Sequence, residues 1–482
     1  MHRIQTLSFG ASRFALGVLV SLGLLCPAAA WTQSICATTF TPGGKRLTEI
    51  IAAVNDGRPN TINTIVESDY APSALGNGQK SELVYDLGVW HWRSHRLDPQ
   101  LLCTVSSSIA FALVRNELSE EIDSLHVQLD SASGRILRHF VSAGVRTFAT
   151  PTDFISDSAR IDAVRRIARK LVNAGVFAGI ILVARNGRPA YIDTVGEADL
   201  KRHTPTRFNA QYSIASMGKI FTATALMQLV HAQRIHLDDP IGSLLPDSIE
   251  SPSGTYFRLP QQVRAVQLKH VLTHTSGIEP GQDTLSFRPG SRFEYSNFGF
   301  YLLGRALEHV TGVPLETSFK TMIFDPAGMT ATRRLVTKNL IDSLPPNNMV
   351  DFDSSGFHFT VNPLIQTISA SGAGNFFSTA SDILRFSEAL RTGRLLPLDF
   401  VDLMRAPKPE LGAPQYGFGV VRWRGPGVWG HAGSLPGVDA DLELYGDTGW
   451  TLVILSNRDG VNGPIRRKME AVMTDRIYFN AP

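Results

Sequence analysis

The chain has 482 residues, 43% of them hydrophobic and 18% charged, with a formal net charge of +3. This is a globular composition, so a disordered, collagen-like or coiled-coil chain is excluded, and the charge is too small to recruit nucleic acid. The length suits two or three domains, each with a sizeable core.

The first element in chain order reads as a targeting signal. Arg3 and Arg13 are the only charges in residues 1–30, and an uncharged apolar stretch covers 14–25. Ala28 and Ala30 then supply the small residues that a signal peptidase requires. The stretch of about 12 apolar residues falls short of the roughly 20 that span a bilayer. We expect cleavage after Ala30, a mature chain from Trp31, a periplasmic or secreted location, and no membrane span once the signal is gone. Export leaves Cys36 and Cys103, which could pair or lie as two buried thiols. With no Cys-x-x-Cys and no His-Glu-x-x-His in the chain, neither a metal nor a cofactor is expected.

Residues 31–148 read as a small α+β domain. Leu47, Ile50, Ile51 and Val54 have helical spacing with Gly57 as the stop, and Leu83, Val84, Leu87 and Trp90 mark a second helix. Residues 104–114, 125–129 and 136–141 read as strands, the last two joined by a turn over 130–134. The element order resembles a nuclear-transport-factor-2-like (cystatin-like) domain. His91, His95, His126 and His139 read as surface or packing residues. Residues 149–158 are polar and read as a linker.

Residues 159–482 form the large domain. A helix containing Ile161, Val164, Ile167 and Leu171 opens it, followed by strands over 177–184 and 189–195 around the Asn186-Gly187 hairpin signal. Strands over 416–423, 427–433, 440–445 and 451–456 and a helix over 464–478 close it. Strands at both ends with helices between them imply one sheet built from both termini, with a helical insertion alongside.

Three short motifs could carry chemistry. Ser216-Met217-Gly218-Lys219 opens a helix over 220–232 read as amphipathic, and residues three apart at a helix start share a face. A serine hydroxyl is a weak nucleophile without a base, and the positive end of a helix favours a neutral Lys219 amine. Tyr295-Ser296-Asn297 precedes the next clear helix. A phenol beside a cationic lysine ionises more easily and can relay a proton, and an Asn amide can orient a lysine or a substrate carbonyl. Trp429-Gly430-His431-Ala432-Gly433-Ser434 is a Gly-flanked strand whose amides could polarise a carbonyl. Gly425 to Gly430 also matches a dinucleotide fingerprint, but it leads into a strand rather than a helix. No Gly-x-Ser-x-Gly elbow occurs.

Taken together, Ser216, Tyr295 and His431 in this order resemble the serine β-lactamase and penicillin-binding-protein superfamily, in its class C-like branch of β-lactamase-related serine hydrolases. Leu272-Thr273-His274-Thr275-Ser276-Gly277 and Ser378-Thr379-Ala380-Ser381-Asp382 match it as well. The resemblance implies an α+β, β-lactamase/transpeptidase-like fold: an antiparallel sheet flanked by helices plus a helical subdomain. It implies an acyl-enzyme mechanism without cofactor. Ser216 would be the nucleophile, Lys219 its proton acceptor and Tyr295 the partner that protonates the leaving group. Asn297, His431, Gly433 and Ser434 would bind substrate, with the amides of Ser216 and Ser434 as the oxyanion hole. Residues 272–277 and 377–382 would shape the fold, Thr379 and Asp382 as a capping box.

The family's Lys-Thr-Gly is missing, and His431-Ala432-Gly433 stands in its place. A histidine of ordinary pKa, about 6.5, is mostly neutral at pH 7. This points away from β-lactams and toward a small-molecule ester, a D-residue peptide or a cell-wall-like substrate. Loops over 248–262 and 347–367 would set the choice. The other reading is a binding or scaffold protein that keeps the fold.

Overall fold

The computed structural model describes residues 41–145, 156–334, 348–361, 370–422 and 427–473, apart from 77, 252, 354, 447 and 459. The expected signal peptide, Cys36 and most of the linker lie outside these residues. Cys103 is buried and disulfide-bonded. Its partner lies outside the described residues, as do the chain's two other cysteines, Cys26 and Cys36.

Three helices come first: α1 (Pro42–Asp56), α2 (Pro59–Asp69) and α3 (Gln79–Ser94). Thr41 caps α1 through its hydroxyl, and Gly57 ends it in the left-handed region at φ 67°. A four-stranded antiparallel meander follows: β1 (Leu97–Ser106), β2 (Ile109–Asn116), β3 (Ile122–Leu129) and β4 (Ile136–Val145). Residues 104–114 are therefore not one strand. They fold as a hairpin whose register places Ser106 opposite Ile109, because the Ser106-Ser107-Ser108 run favours a turn over a continued ladder.

The second sheet is built from both ends of the large segment, as its pattern implies. After α4 (Asp157–Asn173) come β5 (Gly179–Arg185) and β6 (Arg188–Val195). The closing strands are β9 (Val421–Arg422), β10 (Val428–Leu435), β11 (Val438–Tyr445) and β12 (Trp450–Ser456), and the sheet runs β9-β10-β11-β12-β5-β6. Strands β7 (Asn348–Asp353) and β8 (Gly356–Val361) make a separate hairpin. Within the described part of the expected strand over 416–423, residues 421–422 pair as a strand and Gly417 and Gly419 interrupt what precedes them; residue 423 lies outside the described residues.

Alternate residues of β5 point to opposite faces. Ile180, Leu182 and Ala184 join one core with α5 (Lys219–His231), α6 (Asn297–Thr311) and α7 (Ala380–Arg391). Ile181 and Val183 join the other with α4 and α8 (Gly463–Met473). Helices on both faces explain why β5 reads as a continuous apolar run. For the same reason α5 is not amphipathic: ten of its thirteen residues are buried, so it is a core helix surrounded by protein.

The hairpin β7–β8 packs the large segment against the N-terminal unit. Phe352 belongs to the core of the N-terminal unit and sits where Gly88 of α3 leaves room; a Cβ there would come within 2.3 Å of its ring. Phe357 stacks on Trp92 with ring centroids 4.6 Å apart. Arg467 of α8 pairs with Glu121 at 2.7 Å, and Lys170 of α4 with Glu120 at 2.7 Å. Hence 348–361 lines the N-terminal unit and not the catalytic cleft. We propose that residues 31–148 remain a domain, but one that cannot be removed cleanly. A chain beginning at Ser158 should bind a hydrophobic dye and melt below the full-length protein, because Phe352 alone loses burial worth about 1.5–3 kcal/mol. An unchanged melting temperature without dye binding would restore the independent-unit picture.

Candidate active site

The turn Ala215–Gly218 leads directly into α5. Ala215 holds φ 40°, an uncommon conformation for a side-chain-bearing residue, which costs about 1–2 kcal/mol. Its carbonyl is fixed by the Asn375 amide at 3.0 Å and by the close approach of Gly374, where a Cβ would fall 2.0 Å from that oxygen. This locked turn presents Ser216 at the wall of a cavity of about 1010 Å³, which Asn297, Phe298, Tyr301, Leu315 and Leu435 also line.

Lys219 lies one turn on, with none of its surface exposed. Its Nζ is 2.9 Å from Ser216 Oγ, 2.7 Å from Asn297 Oδ1 and 2.8 Å from the Ala373 carbonyl. Burial lowers its pKa to about 7. The cause is therefore desolvation rather than the helix end invoked from sequence. Among the described residues no carboxylate lies within hydrogen-bond reach of the amine.

Tyr295 lies across from this lysine, its ring centroid 4.9 Å from Nζ. Desolvation raises the phenol above its ordinary value, and the Ser216 hydroxyl only partly opposes it. The residue is 44% exposed, so solvent screens part of the effect. The direction still reverses the sequence-based expectation of an easily ionised phenol: Tyr295 is held as a proton donor.

Behind Tyr295 runs a buried chain that motif reading undervalued. The Ser296 amide donates to His274 Nδ1 at 3.0 Å, so the proton of neutral His274 sits on Nε2. That nitrogen is 3.2 Å from the Tyr416 oxygen, which is 3.0 Å from His431 Nε2. His431 Nδ1 lies 2.5 Å from the Ala432 carbonyl and must donate to it. Tyr416 therefore accepts from His274 and donates to His431, and the backbone fixes both tautomers. The His274 ring also packs against Tyr295, with centroids 4.3 Å apart and the planes tilted by 32°. His274 had a signal in Thr-His-Thr-Ser-Gly; Tyr416 sits in no motif.

The structure buries the His431 side chain instead of opening it to the cavity, as the sequence reading expected. It is 3% exposed, and burial lowers its pKa to about 3. Gly433 and Ser434 fare differently. Gly433 packs on the nucleophile turn, where a Cβ would fall 2.0 Å from the Ile214 carbonyl and 2.9 Å from the Met217 nitrogen. Ser434 follows on the same strand and is exposed. Ser216, Lys219, Tyr295 and Asn297 converge, Gly433 packs against the Ser216 turn, and His431 stands behind the wall.

Of the two loops expected to shape the cavity, 248–262 contributes Glu250, Ser251 and Ser253. Thr379 caps α7 by accepting from the Asp382 amide at 3.2 Å, but the Asp382 carboxylate turns to the Ala331 amide and Thr332 instead of closing a capping box. The described part of the glycine run, from Gly427, leads into strand β10, so it does not supply the helix N-terminus that a pyrophosphate needs. Among the described residues no group of three or more His, Cys, Asp or Glu could hold a metal ion, and no helix is long and apolar enough to cross a membrane.

Residues 164–472 match the family model described as Beta-lactamase. The chain is 28% identical over 313 residues to a putative penicillin-binding protein, PbpX, of Bacillus subtilis, covering 61% of this chain and 74% of that one. It is 27% identical over 408 residues to the esterase EstB of Burkholderia gladioli, covering 70% and 99%. Among solved structures, D-amino acid amidase from Ochrobactrum anthropi SV3 superposes with a TM-score of 0.53 at 24% identity, covering 66% of this chain and all of that one to within rounding, 100%.

Proposed function

The chain belongs to the beta-lactamase family and is a serine hydrolase of that type, and from this premise we propose that Ser216 is acylated by an ester or a D-residue amide, in an exported enzyme. The observation that carries the reading is the environment of Lys219. A neutral amine has two N–H groups and one lone pair. Asn297 Oδ1 and the Ala373 carbonyl can only accept, so they take the two N–H groups and the lone pair faces Ser216. Once protonated, the ammonium has three donors for the same three oxygens. Both protonation states are satisfied in place, so the proton moves without rearrangement.

The steps follow. Ser216 Oγ attacks the substrate carbonyl while its proton passes to Lys219. The oxyanion is held by the backbone amides of Ser216 and Ser434. Tyr295 gives its phenolic proton to the departing alkoxide or amine and regains one from Lys219. Water then attacks the acyl-enzyme by the reverse sequence. Asn297 holds the lysine and reaches the cavity that takes the substrate.

The cavity favours neutral acyl groups. His431 carries no charge at neutral pH and is walled off, so the position that is lysine in many β-lactamases offers no cation here. Arg305 is held by Glu308 at 2.7 Å, Arg334 is the second arginine on the wall, and Phe298, Leu315 and Leu435 supply apolar surface. Export rests on the features of residues 1–30.

A membrane-impermeant fluorophosphonate applied to intact cells tests both parts. Wild type should label and Ser216→Ala should not. A panel of p-nitrophenyl esters, D-aminoacyl anilides and nitrocefin should rank nitrocefin last. Labelling at another serine would displace the nucleophile, labelling only after lysis would overturn export, and a folded wild type that never labels would favour a scaffold.

A further inference from the structure

His274 stands at a helix end whose geometry favours glycine. The short helix Leu268–Leu272 closes with the Thr275 amide donating to the His270 carbonyl at 2.8 Å and the His274 amide to the Val271 carbonyl at 3.3 Å. Within this closure His274 takes φ 58°, in the left-handed region. Glycine is the usual residue there, so a side chain held in that conformation points to a use for the side chain.

Two hydrogen bonds show where the residue acts. The His274 carbonyl accepts from the Glu294 amide at 2.8 Å, and its ring Nδ1 accepts from the Ser296 amide at 3.0 Å. One residue thus holds the backbone on both sides of Tyr295. Its ring packs on Tyr295 and on Phe300 of α6, at centroid distances of 4.3 and 4.8 Å.

We propose that His274 is the positioning residue for Tyr295, kept in its working tautomer by Tyr416. The inference rests on the reading of Tyr295 as proton donor to the leaving group. Nδ1 accepts from Ser296 only while the ring proton sits on Nε2. His274 is 1% exposed, so that N–H needs a protein acceptor. The Tyr416 oxygen supplies it at 3.2 Å and gives its own proton to His431 Nε2 at 3.0 Å. In Tyr416→Phe the Nε2–H loses its acceptor. A ring that turns to find another, or that moves its proton to Nδ1 and confronts the Ser296 N–H, releases the backbone beside Tyr295. The donor then stands off its line while Ser216 and Lys219 keep theirs.

The test separates a misplaced donor from a damaged fold. p-Nitrophenolate leaves without a proton and ethoxide must receive one, so in acylation only the ethyl ester needs Tyr295. In the full-length protein Tyr416→Phe should lower kcat/KM about 10²-fold for ethyl butyrate, the order expected of a group displaced by about 1 Å, and less than about threefold for p-nitrophenyl butyrate. Tyr295→Phe should show the same selectivity. His274→Asn keeps an acceptor where Nδ1 stands. On ethyl butyrate it should exceed His274→Leu about tenfold, the equivalent of one retained hydrogen bond. An equal loss on both esters in Tyr416→Phe beside a selective Tyr295→Phe would overturn the positioning role and leave the donor reading intact. So would a His274→Asn no better than His274→Leu. A Tyr295→Phe that loses both esters alike would overturn the donor reading, and this inference with it.

Discussion

Lys219→Met should slow acylation of Ser216 about 10³-fold, the middle of the range for loss of a positioned general base, while the protein stays folded. The methionine chain fills the same volume, but Ser216 then faces no lone pair. The companion readout is stability against pH. Burial lowers the folded-state pKa of Lys219 to about 7 from its ordinary 10.5, so between these limits the unfolded chain binds the extra proton. Wild-type stability should therefore rise with pH from 7 toward 10, by at most about 4 kcal/mol, and fall back on return. The variant should lack that rise. Acylation in wild type should follow the same group, growing as pH climbs through about 7 and levelling above it. A variant of undiminished rate would remove Lys219 as the base; a wild-type stability flat from pH 7 to 10 would mean that the amine is charged in the folded protein.

The structure also explains which parts of this arrangement the sequence could disclose. Ser216 and Lys219 were legible because three-residue spacing at a helix start is a local relation, and the strands from 179 to 195 and 428 to 456 because period and turn signals are local too. The cause of the lysine's low pKa was not legible, since it is the desolvation imposed by a core packed around every side of α5. Burial on all sides also erased the amphipathic pattern expected there. The docking of Phe352 into Gly88 joins residues 264 positions apart and leaves no periodic trace. His431 is the clearest case. Its neighbours Gly430 and Gly433 announce a close backbone approach, and the sequence cannot say whether the histidine between them faces the ligand or the core. Tyr416 decides it, from a loop with no motif at all.

That decision reverses the outcome expected for His431→Lys. On a cavity wall, the lysine would recreate the cation of Lys-Thr-Gly and improve anionic substrates. At a position 3% exposed, it instead places an ammonium against Tyr416 and removes the acceptor that fixes the Tyr416 proton. A buried charge without a counter-ion costs about 3–5 kcal/mol, so the variant should melt well below wild type and lose activity on neutral and anionic esters alike. The wild-type pH behaviour separates the two pictures without any mutation. Burial holds His431 near 3 and His274 well below its ordinary value, so neither gains a proton between pH 5 and 8. The kcat/KM ratio of a carboxylate-bearing ester to its neutral analogue should therefore show no histidine step over that range. Acid should act on stability instead. Both folded-state pKa values lie below the unfolded 6.5, so stability drains away as pH falls below about 6.5 and protons favour the open chain. Imidazole nitrogen shifts in ¹⁵N-histidine-labelled protein give the direct check: His274 should read as the Nε2–H tautomer and His431 as Nδ1–H, both unchanged from pH 5 to 8. A His431 signal that titrates near 6.5, together with a ratio that rises in acid, would return this side chain to the substrate.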